Sequence, residues 1–138
     1  MEKRAKWVEI RNRIIKAIYD AGGKIMAGSD TPEFLWLYGY SLHRELKALN
    51  EAGLTPFATL QSATVNPAEF FGTSAETGTI EVGKRADLVL LNANPLKDIS
   101  NTTDRAGVML GGIYYDNAQL QAWLDTSASR ISQSYLDE

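Results

Sequence analysis

Apolar residues in the first segment recur at helical spacing. Trp7, Ile10, Ile14, Ala17, Ile18 and Ala21 fall three and four positions apart, with Lys and Arg over the rest of the circumference, which predicts an amphipathic helix. Gly22-Gly23 ends it, because a helix terminus favours a residue that tolerates left-handed backbone. Residues 24–27 then read as a short buried strand running into Gly28-Ser29-Asp30, and Thr31-Pro32 turns the chain away. A second helix is predicted over roughly 41–52, with Leu42, Leu46 and Leu49 on one face and Gly53 at its end. Thr55-Pro56 and Asn66-Pro67 each set a capping side chain before a proline, whose missing N–H costs nothing in a first helical turn. Helix, strand, helix, helix is the rhythm of a parallel α/β fold.

Past Gly72 the pattern changes. Residues 79–82, 87–92 and 108–115 are strand candidates rich in β-branched and aromatic side chains, punctuated by Gly-Lys, Asn-Pro and Gly-Gly turns. Strands without intervening helices predict a small antiparallel sheet packed against helix. Asp116 or Asn117 caps a last helix in which Leu120, Leu124, Ile131 and Tyr135 share a face. The expected division is therefore 1–72 as a helix-strand-helix segment, 73–116 as a small antiparallel β segment, and 117–138 as a C-terminal helix.

Composition narrows the function classes. At 138 residues, 44% apolar and 22% charged, the chain fits one globular domain. A net charge of −3 gives no footprint for nucleic acid or an anionic membrane. No apolar run approaches the roughly 20 residues that span a bilayer as a helix, and the mixed charges of the first 17 residues do not suit a signal peptide. A cytoplasmic location is the expectation. Without cysteine, there are no disulfides, thiolate catalysis or cysteine-ligated zinc.

Three stretches carry chemistry together. The longest is Gly78-Thr79-Ile80-Glu81-Val82-Gly83-Lys84-Arg85-Ala86-Asp87-Leu88-Val89-Leu90-Leu91, with Asn94-Pro95-Leu96 beyond it. Leu42-His43-Arg44-Glu45-Leu46 is followed by Ala52-Gly53-Leu54-Thr55-Pro56 and Ala63-Thr64-Val65-Asn66-Pro67-Ala68. Ala27-Gly28-Ser29-Asp30 is the third. In this order they resemble the amidohydrolase superfamily, in its imidazolonepropionase-like and prolidase-like branch. The resemblance implies an α/β fold: the last helix-strand-helix units of a metal-dependent hydrolase β/α barrel, then the C-terminal strands of its small β-sandwich. It implies hydrolysis of a carbon–nitrogen bond in a small molecule (a non-peptide amide, a cyclic amide or a dipeptide) by a metal-activated water. Zinc or another divalent ion is the implied cofactor.

Asp30 is the candidate catalytic residue. By resemblance it binds the metal and moves a proton from water to the leaving nitrogen, and its place after an apolar strand suits the C-terminal face of a barrel, where active sites gather. On its own residues, the same aspartate equally reads as a turn or cap. Ser29, Thr31 and His43 are candidates for the rim of that site. His43, the sole histidine, otherwise reads as structural. Ser29 has no histidine placed by sequence as its base, so a serine triad is unsupported. Asp87 reads as an acceptor for the Gly83 turn, with Lys84 and Arg85 structural beside it. Trp7, Trp36 and Trp123 read as packing residues.

A complete barrel takes about 250 residues. The resemblance implies a His-x-His pair, a lysine or glutamate and two further histidines that have no match here. Asp30 is then a lone ligand where zinc takes three or four. Three expectations follow: a piece of a longer enzyme, one half of a split enzyme that meets an N-terminal barrel half in trans, or a non-catalytic module that oligomerises, most simply as a homodimer. In each, the chain alone is expected to be inactive and to hold no metal.

Overall fold

A computed structural model of the chain describes residues 2–31 and 39–134. The expectations for Pro32, Trp36 and Tyr135 lie outside them. In chain order come helices α1 (Glu2–Asp20), α2 (Tyr40–Glu51), α3 (Pro56–Ser62) and α4 (Val65–Phe70), strand β1 (Leu88–Leu91), a 3-10 helix (Ile99–Thr103), strands β2 (Arg105–Leu110) and β3 (Ile113–Asp116), and helix α5 (Asn117–Ser134).

The helical half follows its sequence signals with three corrections. Helix α1 stops where expected, the Gly22 N–H donating to the Tyr19 carbonyl and Gly23 to Ile18. Its apolar stripe, however, faces outward: Trp7 is 71% exposed and Ile14 55%. Residues 24–27 form no strand. A strand needs a ladder partner, and the N–H of Ala27 instead donates to the Ser62 carbonyl at 2.9 Å while Ile25 offers its carbonyl to the Asn66 amide at 2.7 Å. This stretch is extended backbone laid against α3 and α4.

Thr55 caps α3 as its position before Pro56 predicts, its hydroxyl accepting from the Ala58 N–H. Asn66 does not repeat the device. Helix α4 begins at Val65, so Asn66 lies inside its first turn and its side chain is already engaged by Ile25.

The sheet has the order β1-β2-β3 and is antiparallel throughout, with Val108 opposite Val89 on one side and Tyr115 on the other. Residues 108–115 are two strands rather than one. Gly111 and Gly112 both take positive φ, 56° and 84°, which suits a two-residue hairpin turn that most side chains resist. Residues 79–82 join no strand; Ile80 is 85% exposed and Val82 fully so. The Glu81 carbonyl goes into a local turn, accepting from the Lys84 N–H. Asp87 does accept hydrogen bonds, but from the Gly111 N–H of the hairpin and the Arg85 guanidinium rather than from the Gly83 turn.

Asp116 and Gln119 cap α5 reciprocally. The Gln119 N–H donates to the Asp116 carboxylate and the Asp116 N–H to the Gln119 side-chain oxygen. Helix α5 packs on β2 and β3, with the Tyr115 and Trp123 rings 5.0 Å apart. Trp123 still leaves half its surface in solvent and Trp7 more, so neither is a core residue.

Among the described residues, the buried apolar ones are Leu46, Leu49, Ala52, Leu54, Ala68 and Ile99. Helix α2 packs against the 3-10 helix, a piece of structure that the sequence pattern does not reveal. That contact joins the helical half to the sheet.

Candidate functional site

Asp30 sits at the end of the extended segment with φ 51°, a left-handed conformation that aspartate adopts more readily than most residues. Its residue is exposed, so the carboxylate is presented outward rather than spent inside the fold. On either side of it, the Ser29 and Thr31 hydroxyls hydrogen-bond to each other at 2.8 Å, and both residues are half-buried. The structure therefore brings Ser29, Asp30 and Thr31 into one tight feature.

His43 belongs to a different place. Its Nδ1 lies 3.1 Å from the Thr102 hydroxyl in the 3-10 helix. That hydroxyl gives its single proton to the Ile99 carbonyl at 2.9 Å, so Nδ1–H is the donor in the contact with His43. Nε2 of the neutral ring then carries the lone pair. Burial, and secondarily the Arg105 guanidinium, hold the imidazole below its ordinary pKa, which keeps it neutral near pH 7. His43 ties α2 to the sheet half.

Asp30 and the two hydroxyls do not by themselves fit a divalent metal. A zinc site takes three or four nitrogen, sulfur or carboxylate ligands, and among the described residues no three His, Cys, Asp or Glu side chains gather where an ion would lie.

Asp30 is in the wall of neither of two concavities in the described surface. One, of about 210 Å³, lies between the end of α1 and helices α3 and α4, with Ile25, Gln61, Asn66 and Glu69 in its wall. The other, of about 830 Å³, is an open trough along α1 lined by Ile10, Ile14 and Lys16. Among the described residues, no helix is long and apolar enough to cross a membrane.

The residue that sequence reasoning undervalued is Asn66. It reads as a cap because it precedes proline, yet it reaches 41 residues back to the backbone of the segment that carries Asp30. Nothing in a local pattern signals a contact of that span.

The model of the amidohydrolase family matches residues 6–113. A 5′-deoxyadenosine deaminase of Methanobrevibacter smithii is 42% identical over 66 residues, 46% of this chain and 15% of that protein. An imidazolonepropionase of Symbiobacterium thermophilum is 50% identical over 40 residues, 29% of this chain and 9% of that protein. The crystal structure of a Xaa-Pro dipeptidase with methionine bound in its active site superposes with a TM-score of 0.69 at 29% identity, covering 77% of this chain and 25% of that one. The chain thus spans a small fraction of the length of each relative. With most of its length matched by the family model, the chain belongs to the amidohydrolase family, whose members are generally metal-dependent hydrolases.

Proposed function

We propose that the chain supplies the C-terminal part of an enzyme that hydrolyses a carbon–nitrogen bond in a small molecule, and that it is inactive alone. The observation that carries this reading is Asp30: an exposed carboxylate in left-handed backbone, at the end of an extended segment pinned to two helices. Its relatives act in the same direction, being a deaminase, an imidazolonepropionase and a dipeptidase by name. In the working enzyme Asp30 is the base that takes the proton of the attacking water and returns it to the departing nitrogen. It is also one donor to a divalent metal, zinc among the candidates, whose other ligands come from an N-terminal barrel half. The Ser29 and Thr31 hydroxyls shape the rim beside it. A positioned base alone contributes about 10²–10⁴-fold, well short of enzymatic acceleration, which is why the isolated chain is expected to be silent.

The test is reconstitution. Purified chain is given zinc, manganese or cobalt and assayed on dipeptides and acyl-amino acids, then mixed with a separately expressed N-terminal half of a family member. The expected result is no turnover and no stoichiometric metal uptake alone, turnover on mixing, and its abolition by Asp30→Asn. Turnover by the isolated chain, or a reconstituted enzyme indifferent to Asp30→Asn, would sink the proposal.

One observation favours a second reading, a non-catalytic module that self-associates. The outward stripe of α1 leaves Trp7, Ile14 and Ile18 each about half exposed or more (71%, 55% and 48%), and apolar side chains gathered on one exposed helix face suit an interaction surface. Light scattering after size exclusion separates the two. A homodimer that Ile14→Ser dissociates, with no complementation by any barrel half, supports the module.

A further inference from the structure

Three side-chain and backbone contacts converge on the segment that ends in Asp30. The Asn66 amide donates to the Ile25 carbonyl at 2.7 Å, the Ala27 N–H donates to the Ser62 carbonyl at 2.9 Å, and Lys24 pairs with Glu69. The three are unequal. The Lys24 and Glu69 side chains are 67% and 41% exposed, so solvent screens their attraction and the pair contributes little. The Ala27 bond links two backbones and is insensitive to side-chain identity. Asn66 is half-buried, and its amide satisfies a carbonyl that has no ladder partner, because residues 24–27 are in no sheet. Of the three, only the Asn66 bond joins a part-buried side-chain donor to a backbone acceptor, so a single substitution removes it.

We infer that Asn66 is a positioning residue: through the Ile25 carbonyl it holds the extended segment so that Asp30 emerges from it in left-handed backbone. This rests on the proposed role of Asp30 and deepens it, by naming what keeps that carboxylate in place. The chemistry needs an N–H donor of this length. Aspartate has the same shape but, ionised, presents only acceptors and would face the Ile25 carbonyl oxygen with a second oxygen. Alanine removes the donor outright. Two residues beyond Ile25, Ala27 is held by α3, and the Ser29 and Thr31 hydroxyls bridge across Asp30, so a slip at Ile25 reaches Asp30 by loosening the Ala27 bond first.

The experiment is solution NMR on the chain as it is. In the wild type, a scalar coupling across the hydrogen bond from Asn66 Nδ2 to the Ile25 carbonyl carbon is expected, together with the short intraresidue Hα–HN contact that positive φ gives Asp30. In Asn66→Asp at neutral pH, Ala27 exchanges its amide proton roughly tenfold faster and Asp30 loses the short contact, while Leu46 and Val108 keep their protection. Acidification that protonates the introduced carboxyl restores a donor and, after correction for intrinsic exchange, restores both signals. Asn66→Ala shows no such recovery. Should Asn66→Asp fail to fold, Asn66→Ser, with a shorter donor, is read the same way: partial loss at Ala27 and Asp30 supports the inference and wild-type behaviour overturns it. The inference is also overturned by absence of the wild-type coupling, by an unchanged Asp30 in Asn66→Asp, or by equal acid recovery in Asn66→Ala. None of these readouts requires Asp30 to do chemistry. Their failure alongside a reconstituted enzyme that needs Asp30 removes Asn66 alone, and their success beside an enzyme indifferent to Asp30 removes the proposed function alone.

Discussion

The carboxylate of Asp87 accepts a hydrogen bond from the Gly111 N–H at 2.7 Å, tying the residue before β1 to the hairpin between β2 and β3. The Gly112 N–H donates to the neighbouring Ala86 carbonyl, so two successive turn amides are satisfied by two successive residues. The Gly111 contact, ahead of the Arg85 guanidinium, holds the Asp87 carboxyl below its usual pKa in spite of some desolvation. A depressed folded-state pKa contributes stability that is present above the unfolded value, about 3.9 for aspartate, and is lost as pH falls through the folded value. Asp87→Ala is expected to speed exchange at the Gly111 amide roughly tenfold and to lower the urea midpoint at neutral pH, while flattening the acid limb of the stability profile. An unchanged Gly111 exchange rate contradicts the clamp.

His43 predicts a second pH dependence. Its folded-state pKa lies below the ordinary value because burial and Arg105 disfavour the imidazolium. Stability is therefore full above the unfolded value, about 6.5, and falls as pH drops through the depressed one. Between about pH 7.5 and about pH 5 the urea midpoint of the wild type is expected to fall more steeply than that of His43→Gln. Parallel profiles show that His43 does not titrate against the fold.

Thr55→Ala removes the hydroxyl that accepts from the Ala58 N–H at the start of α3. A loss of about 1 kcal/mol in chemical denaturation is expected, and Thr55→Ser should restore most of it.

Gly78 and Gly72 separate backbone strain from crowding. Both take positive φ, 93° and 70°. A Cβ at Gly78 would lie 2.7 Å from the Ala68 Cβ and 3.3 Å from the Thr64 carbonyl oxygen, whereas one at Gly72 would meet nothing within 4 Å. Gly72→Ala should cost about 1–2 kcal/mol for the left-handed backbone, and Gly78→Ala should cost more, because α4 must also move. Equal losses in paired urea titrations remove the close-packing explanation for Gly78.

What the sequence revealed depended on whether the deciding contact was local. The α1 stop at Gly22-Gly23, the Thr55 cap and the Asp116 cap are set within a few residues of where they act, and each is where the pattern puts it. The 24–27 and 79–82 stretches have the composition of strands, yet a strand also requires a neighbour, and composition carries no information about one. Asn66 reads as a cap for the same reason, since its partner Ile25 lies 41 residues away. At the candidate site, the motif marks Asp30 and its neighbours Ser29 and Thr31 gather around it, while His43 turns to Thr102, a partner inside a 3-10 helix without a periodic signature.

The seating of α2 on that 3-10 helix sets an order in time. Leu46 and Leu49 are buried in the same small core as Ile99, about fifty residues further on. A ribosome adding residues at about 5–20 per second therefore exposes the α2 leucines for several seconds before their cover is made. Nascent chains that end before Ile99 should leave α2 open to proteases and chaperones once it has left the ribosome, and chains in which Thr103 has also emerged should close it.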